Sequence, residues 1–590
     1  MPYHTPGTSG SVSPVGGSAA ADKTVTLAGF SGIDRRLLPG AEPSASKPSA
    51  AAEIENFRVL SGGTLEKRCG FRCLATLYAP VRAAVSANFD GEESLFCAAG
   101  DGLYLIDPDE GAERLFTLRS AVGNAFFYRD GKGLCLFAGG QVVRVRPTEA
   151  EDITYVPLYV NNCPASTSPR SSRPYEPCNL LIDRVRLTYV MDRSISYVYL
   201  PFTPKQIVGV YLNGVLQSGN YAVENLMNSD LLRFTRTLEI DDELLILATV
   251  PNSLRGGEEP LAYAHAAYAI PTGEAGGMGR ICLAAPDRGL YQNESVDEGE
   301  WGSLYFPARG FTDPSEDGFP ILGFLRHFHR LLCFSATSTY KADLTAEEVS
   351  FGLCNSGTGS VSAGAATMIG NAPVTVSDGR VFRFTDDTED SRLDEATCIS
   401  DALGEMSFPD GACLFFDRSR RELWLRDPGD DEGRVHICDI RTGNWFDFTG
   451  IGADGFFSYG GEVGYFDGGS LYLSDPYKRA DDRPDGTVAM IPAAVETHWL
   501  GFGAGNAVRR SGTFAAVVSA GGGTLSWEVQ TEAGAMARGT LTGQPNAPLD
   551  APEQLERGFS AGRFRFLKLR LSAAGIERVS VYGLTAAGRR

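Results

Sequence analysis

Seven times this chain runs a short apolar strand into a turn, most often one with glycine or aspartate, and out through a second strand bearing an aromatic or β-branched residue. The segments are residues 95–106 (LFCAAGDGLYLI), 134–145 (LCLFAGGQVVRV), 281–291 (ICLAAPDRGLY), 331–344 (LLCFSATSTYKADL), 374–384 (VTVSDGRVFRF), 414–425 (LFFDRSRRELWL) and 463–473 (VGYFDGGSLYL). Marked at Tyr104, Val143, Tyr291, Tyr340, Phe382, Trp424 and Tyr472, they are separated by 39, 148, 49, 42, 42 and 48 residues. Five of the six intervals fall near the roughly 40–50-residue period of propeller blades. A sheet of that size cannot bury its own two faces, so it must stack on neighbours. The spacing predicts an all-β chain: a β-propeller of six or seven blades around a central passage.

The length of 590 residues leaves room for more than the propeller. Many of the 69 glycines fall at hairpin turns, where positive φ is needed, and strand alternation outweighs helical periodicity throughout. With 53 basic and 73 acidic side chains the net charge is −20. Such a surface repels nucleic acid wherever no local basic patch intervenes, which argues against a protein that grips DNA and not against one that DNA slides past. The twelve cysteines are scattered singly, mostly in strands (Cys97, Cys135, Cys333, Cys413, Cys438), and none has the spacing of a metal knuckle. Buried thiols in a reducing compartment are the reading; Cys163 and Cys178, flanking a Pro/Ser-rich loop, are the pair to test for a bridge. The first residues lack a basic stretch and an apolar core, and no run of about 18 apolar residues exists, so neither a signal peptide nor a membrane span is expected.

Residues 1–52, rich in Gly, Ser, Ala and Pro, read as a flexible N-terminal arm. The first blades are expected over 53–159. The long interval between the second and third marks exceeds one blade by about 100 residues, and an inserted β-sandwich or barrel is placed there, at 160–262. Its loop 164–177 (PASTSPRSSRPYEP) precedes alternating strands at 185–190, 196–200, 207–212, 231–235 and 243–249, with an Asn213-Gly214 hairpin turn. The remaining blades fill 263–488. Residues 489–590 alternate differently and read as a C-terminal β-sandwich or as strands that close the ring.

No catalytic set, cofactor site or metal site emerges. Residues 295–301 (SVDEGEW) resemble the Asp box of sialidase-like propellers, except that Trp301 arrives one position early; an Asp box is in any case a turn device. His327 and His329 would face one side of a strand, but Arg326 and Arg330 beside them supply no third ligand. The acidic run 386–390 lacks the pinned glycine of a calcium loop, and the glycines at 501–503 and 521–523 do not lead from strand to helix as phosphate loops do. Residues 435–448 (VHICDIRTGNWFDF) form a kelch-like outer hairpin, with Trp445 expected to pack between neighbouring sheets.

One segment carries a resemblance. Glu55-Asn56-Phe57-Arg58-Val59 followed by residues 62–71 (GGTLEKRCGF) is similar to the opening of phage tail nozzle and head-to-tail connector proteins, the tail tubular protein B and stabilisation-protein group, in which an "EN…GGLxKRxGF" stretch precedes the propeller. Residues 207–221 (IVGVYLNGVLQSGNY) resemble a hairpin of insertion domains in such proteins. The segments at 330–344, 352–362 and 374–384 follow the family's order. The chain departs from the pattern at Cys69, where the family often has proline, and in its long Ala/Ser/Pro-rich beginning.

The resemblance implies a structural virion protein, not an enzyme, made in the bacterial cytoplasm and carried in the tail. Its implied partners are copies of itself in a six-fold ring, connector or portal-adaptor proteins, and tail fibres or spikes. DNA would pass through without sequence-specific contacts, and an acidic, glycine-lined lumen is expected to keep it from sticking. Two rivals stand beside this reading: a carbohydrate-active propeller, on the Asp-box likeness, and a cytoplasmic protein-binding scaffold, on the kelch-like hairpin.

Overall fold

The computed structural model describes residues 23–37, 48–161, 178–225, 230–255, 261–271, 279–286, 289–294, 304–314, 318–345, 349–384, 396–404, 406–408, 411–502, 508–544, 551–575 and 577–589. Among these the regular elements are strands and four short 3-10 helices, with no α-helix. The chain divides into two compact units, one of residues 69–491 and one of residues 1–68 with 492–590.

Unit 69–491 is a seven-bladed propeller. Blade 1 is Val81–Phe89, Glu92–Ala99, Gly102–Asp107 and Gly111–Thr117; blade 2 is Ala125–Asp130, Gly133–Ala138, Gln141–Val145 and Ala150–Asp152. Blade 3 runs from Ala266–Ile270 to Phe311–Thr312, blade 4 from Gly323–His327 to Phe351–Ser356, and blade 5 from Ala366–Ile369 to Ala396–Cys398. Blade 6 is Cys413–Asp417, Glu422–Arg426, Val435–Asp439 and Asn444–Phe448, paired antiparallel in sequence order. Blade 7 takes Gly455–Tyr459, Glu462–Asp467 and Ser470–Asp475 from the far end of the unit and its outermost strand, Gly70–Thr76, from the beginning. The first strand of each blade contacts the first strand of the next, and Gly455–Tyr459 contacts Val81–Phe89, so the ring closes.

Apolar seams hold the blades together. Between blades 7 and 1, Leu74, Phe457 and Leu471 pack with Val81, Leu95 and Cys97. Between blades 1 and 2, Phe96 and Leu103 meet Leu134, Leu136 and Val143. Trp445 is fully buried in the outermost strand of blade 6, and its Nε1 donates to the Ile399 carbonyl just past blade 5 at 2.9 Å, so the inter-sheet packing expected of it is what it does. Six of the seven sequence marks lie in third strands. Trp424 lies in the second strand of blade 6, whose third strand is Val435–Asp439; the mark is one strand early because two consecutive hairpins of that blade carry aromatics.

The long interval between blades 2 and 3 holds two further sheets. One has five strands, Leu158–Asn161, Arg184–Val190, Gln206–Leu212, Val215–Leu216 and Glu243–Thr249; the other has three, Ile195–Tyr199, Tyr221–Asn225 and Asp230–Leu238. Val185, Leu187 and Ile246 of the first share one core with Val198, Leu232 and Phe234 of the second. All five strands expected from the alternation are present. Asn213 at φ 51° makes the tight turn that the Asn-Gly pair announces.

The other unit is a β-sandwich made from both chain ends. One sheet contains Lys23–Leu27, Phe57–Val59, Leu65–Lys67, Arg509–Ser519, Glu553–Phe564 and Ser580–Arg589. Strands Ser49–Glu55, Ala493–Thr497, Phe566–Ala573, Thr524–Thr531 and Met536–Thr542 pair side by side in the other. Phe566–Ala573 alternates strictly between half-exposed and buried positions, and Phe514 of one sheet meets Trp527 of the other at 4.9 Å between ring centroids.

Two expectations are corrected here. Residues 1–52 are not all an arm: Lys23–Leu27 pairs residue by residue with Leu584–Gly588, and Phe30–Ile33 and the start of Ser49–Glu55 are also strands. Val25, Leu27 and Phe30 are buried, which repays ordering a segment whose composition alone looks too polar. Blades begin at Gly70 and not at Glu53, and the ring is closed by Gly70–Thr76 while the C-terminal strands belong to the sandwich.

Candidate functional site: the propeller axis and the root of the insertion

At the rim that carries the turns between first and second strands, the ring encloses a cavity of about 630 Å³. Its lining comes from Leu325 of blade 4, Thr367 and Met368 of blade 5, Phe415 and Phe416 of blade 6, Ser458 of blade 7 and Glu93 of blade 1. Five of the seven blades contribute, which puts the cavity on the axis. Asp417, Arg418 and Ser419 at the blade 6 turn complete the polar side. Its volume falls within the range of small-molecule sites.

Asp417 is buried, with a side chain only 4% exposed. Its Oδ1 accepts from the Ser419 backbone N–H at 2.8 Å, the Ser419 hydroxyl at 2.7 Å and the Arg420 N–H at 3.3 Å, the bonds of an Asx turn. Its Oδ2 takes no hydrogen bond among the described residues and faces Arg420 Nη1 at 3.8 Å, while Arg420 Nη2 holds Glu462 at 2.6 Å. Glu93 Oε2 accepts from the Gly460 N–H at 2.8 Å, linking blade 1 to the turn of blade 7. The strand-turn-strand repeat at 414–425 was legible in the sequence; that its first strand and turn line the cavity was not.

A second cleft of about 760 Å³ lies between blades 1 and 2, where Arg129, Lys132, Arg144 and Arg146 meet Asp90 and Glu92. Arg144 pairs with Asp130 at 3.3 Å and Arg146 with Glu149 at 2.6 Å, so half of its cations are neutralised locally.

The insertion is rooted by one amide. Asn179 is fully buried; its Nδ2 donates to the Tyr155 carbonyl at 3.0 Å and the Leu304 carbonyl at 2.7 Å, and its Oδ1 accepts from Leu181 N at 3.1 Å and Phe306 N at 3.0 Å. Leu180, Leu181 and Leu261, on the connections to and from the insertion, pack with Phe137 of blade 2 and Leu283 of blade 3. Nothing in the sequence pattern singled out this asparagine.

The residues weighed for chemistry fare differently. The Asp-box-like run 295–301 and the acidic run 386–390 lie outside the described residues, as does Cys163. His327 and His329 do not share a strand face: Phe328 has φ 52° and turns the chain between Gly323–His327 and Arg330–Phe334. No group of three or more potential metal ligands occurs among the described residues. His436 and Asp447, unremarked in the sequence, face each other across blade 6 at 2.7 Å, both buried, with Arg434 Nη1 on the other Asp447 oxygen at 3.1 Å. Inside one sheet these three read as a satisfied structural cluster. Burial pushes the thiols of Cys135, Cys282 and Cys438 up to about 12, so they are inert fillers of the seams.

The segment behind the family resemblance is itself closely built. Asn56 is buried at φ 54°, its Nδ2 donating to the Pro492 carbonyl and its Oδ1 accepting from Arg68 Nε, both at 2.7 Å. Lys67 is buried and donates to the Gly575 carbonyl. A Cβ on Gly63 would stand 2.8 Å from the Phe30 nitrogen, and one on Gly70 would stand 2.0 Å from the Ala480 carbonyl oxygen.

The closed ring of seven four-stranded sheets defines this chain as a β-propeller protein with an inserted β domain. No family model matches it, and no curated protein does. Among solved structures it is similar to the extracellular domain of BT4673 from B. thetaiotaomicron, with 7% identity and a TM-score of 0.36 over 88% of this chain; the match spans 64% of that domain's length. The WD40 domain of Neurospora crassa Pan2 is similar at 9% identity and a TM-score of 0.35, over 69% of this chain and 96% of that one. YCF48, in a structure with D1 peptide, is similar at 8% identity and a TM-score of 0.31, over 71% of this chain and 97% of that one.

Proposed function

We propose that this chain is a structural protein of a bacteriophage tail, a nozzle or hub subunit that forms a ring with copies of itself and continues the head-to-tail channel for DNA. It acts mechanically and is not an enzyme. Its partners are the connector or portal-adaptor proteins on one side and fibres or spikes on the other, and it resides in the virion after synthesis in the host cytoplasm. The observation that carries the reading is the segment 55–71. Of the residues that make it similar to tail proteins, Asn56, Gly63, Lys67, Arg68 and Gly70 are held by buried hydrogen bonds and close backbone approaches, while Gly62 is exposed.

The channel in this reading runs between subunits, because the propeller axis carries Phe415, Phe416 and Met368 where DNA would have to pass. A net charge of −20 supports a lumen that does not hold the phosphate backbone. Electron microscopy of the full chain mixed with connector proteins tests the proposal. The expected result is a ring with an open, non-basic axial lumen; particles that stay monomeric beside an assembled connector, or a strongly basic lumen, would overturn it. A protein-binding scaffold is the second reading, favoured by the axial cavity.

A further inference from the structure

We infer that neighbouring copies of this chain meet through two unlike surfaces: an uncharged, apolar sector of one propeller rim on one copy, and the outer end of the inserted sandwich on the next. The inference rests on the ring-forming reading above and names its contact. One patch that meets itself stops at a pair; a cyclic ring needs two different patches that fit each other. The rim patch lies on the connections that lead into first strands. Tyr78, before blade 1, is fully exposed; Val122, before blade 2, is 74% exposed and Tyr263, before blade 3, is 59% exposed. Arg82 Nη1 donates to the Val122 carbonyl at 3.2 Å, and its Nη2 to the Gly100 and Ser120 carbonyls at 2.7 and 3.1 Å. Asn124 Nδ2 reaches the Tyr263 carbonyl at 3.4 Å. The three apolar side chains therefore stand out from a backbone whose connections are tied to one another.

The second patch is at the end of the sandwich away from its root, where Val190 pairs with Glu243; the root end pairs Arg184 with Thr249. There the Met191 N–H donates to the Asp242 carbonyl at 3.0 Å, and Asn213 Nδ2 to Asp242 Oδ1 at 2.8 Å, which joins three turns into one tip. Val190, Val215, Leu216 and Ile240 on it are all more than half exposed, and Glu239, Asp241 and Glu243 stand exposed among them. Charge decides which surface such a tip can meet. Each copy carries −20, and like charges set against each other oppose contact. Residues 77–80, 120–124 and 261–264 contain no Asp, Glu, Lys or Arg, in a chain of which 21% is charged. Asp101 on the adjoining turn is paired with Arg114 at 3.0 Å. Across the same rim, the blade 6 turn between second and third strands carries Asp427, Asp430, Asp431 and Glu432, which would repel the tip. Exposed apolar side chains, tyrosine among them, on ground depleted of charge are what the centre of a protein interface is made of.

Two double variants of the full-length chain test the contact: Tyr78→Asp with Val122→Asp for the rim, and Val215→Asp with Leu216→Asp for the tip. All four positions are exposed, so the melting temperature should stay that of the parent. Each chain is mixed with connector proteins and its rings are counted by electron microscopy. The parent should form rings and each variant about tenfold fewer, the scale of losing an interface anchor. Each variant keeps one working patch, so in excess it should also end the parent's growing arcs and lower the parent's yield, which an unfolded protein would not do. Parent rings beside a variant that assembles as well as the parent, or that leaves the parent's yield unchanged, would overturn the rim-to-tip contact and leave the ring-forming reading standing. A parent that forms no rings would overturn both.

Discussion

Asn179 shows how much can depend on one neutral side chain. Its amide bonds two carbonyls and two N–H groups, and three of the four bonds are buried. Asn179→Ala removes all four bonds, three of them buried, and at 1–3 kcal/mol for a single buried orphan the total cost should be about 3 kcal/mol or more. Denaturant titration, followed at the propeller, is the measurement; a loss below about 1 kcal/mol would mean the amide is not the anchor. His265 makes a different prediction. Its Nε2–H donates to the Ile321 carbonyl at 2.7 Å, and burial holds the imidazole below its ordinary 6.5, so the folded protein keeps it neutral. The unfolded chain therefore takes up the proton first as pH falls. The stability is complete above about pH 6.5 and is lost as pH drops toward the lowered folded value. His265→Gln, which retains a donor, should flatten the fall in melting temperature between pH 7.5 and 5.5, and an unchanged slope would exclude this histidine as its source.

Among the elements, the blade hairpins and the insertion strands were legible because their signals are local: alternation of side chains, turn residues, and a repeat interval. Five strands between residues 184 and 249 fall where the alternation puts them. What failed was whatever depends on partners distant in the chain. Lys23–Leu27 looks like part of a polar arm until Ser580–Arg589 lies beside it, and Gly70–Thr76 does not advertise that its partner is Ser470–Asp475. The axial cavity was hidden for the same reason: Glu93, Met368, Phe415 and Ser458 are far apart in sequence and meet only when the ring closes. The closing strand can be tested directly. Replacing residues 70–76 with a Gly/Ser linker removes Leu74 from the seam and Phe71 from its ring contact with Tyr465, and leaves Ser470–Asp475 as a bare edge. Limited proteolysis should then cut blade 7 first, and the unfolding of the propeller should become broader. A variant as resistant and as cooperative as the parent would show that the seven first strands alone hold the ring.

For the molecule as a whole, the arrangement of the two units along the chain sets an order of events. The sandwich is begun before the propeller and finished after it, since residues 1–68 and 492–590 make one unit and 69–491 the other. Contacts this remote in sequence are slow to form and leave strand edges uncovered meanwhile. On the ribosome, Lys23–Leu27 emerges early and must wait through the synthesis of every blade before Ser580–Arg589 arrives to receive it. A nascent chain of this protein therefore carries that strand without its partner while the whole propeller is made, and a chaperone that shields the strand is the natural company for it.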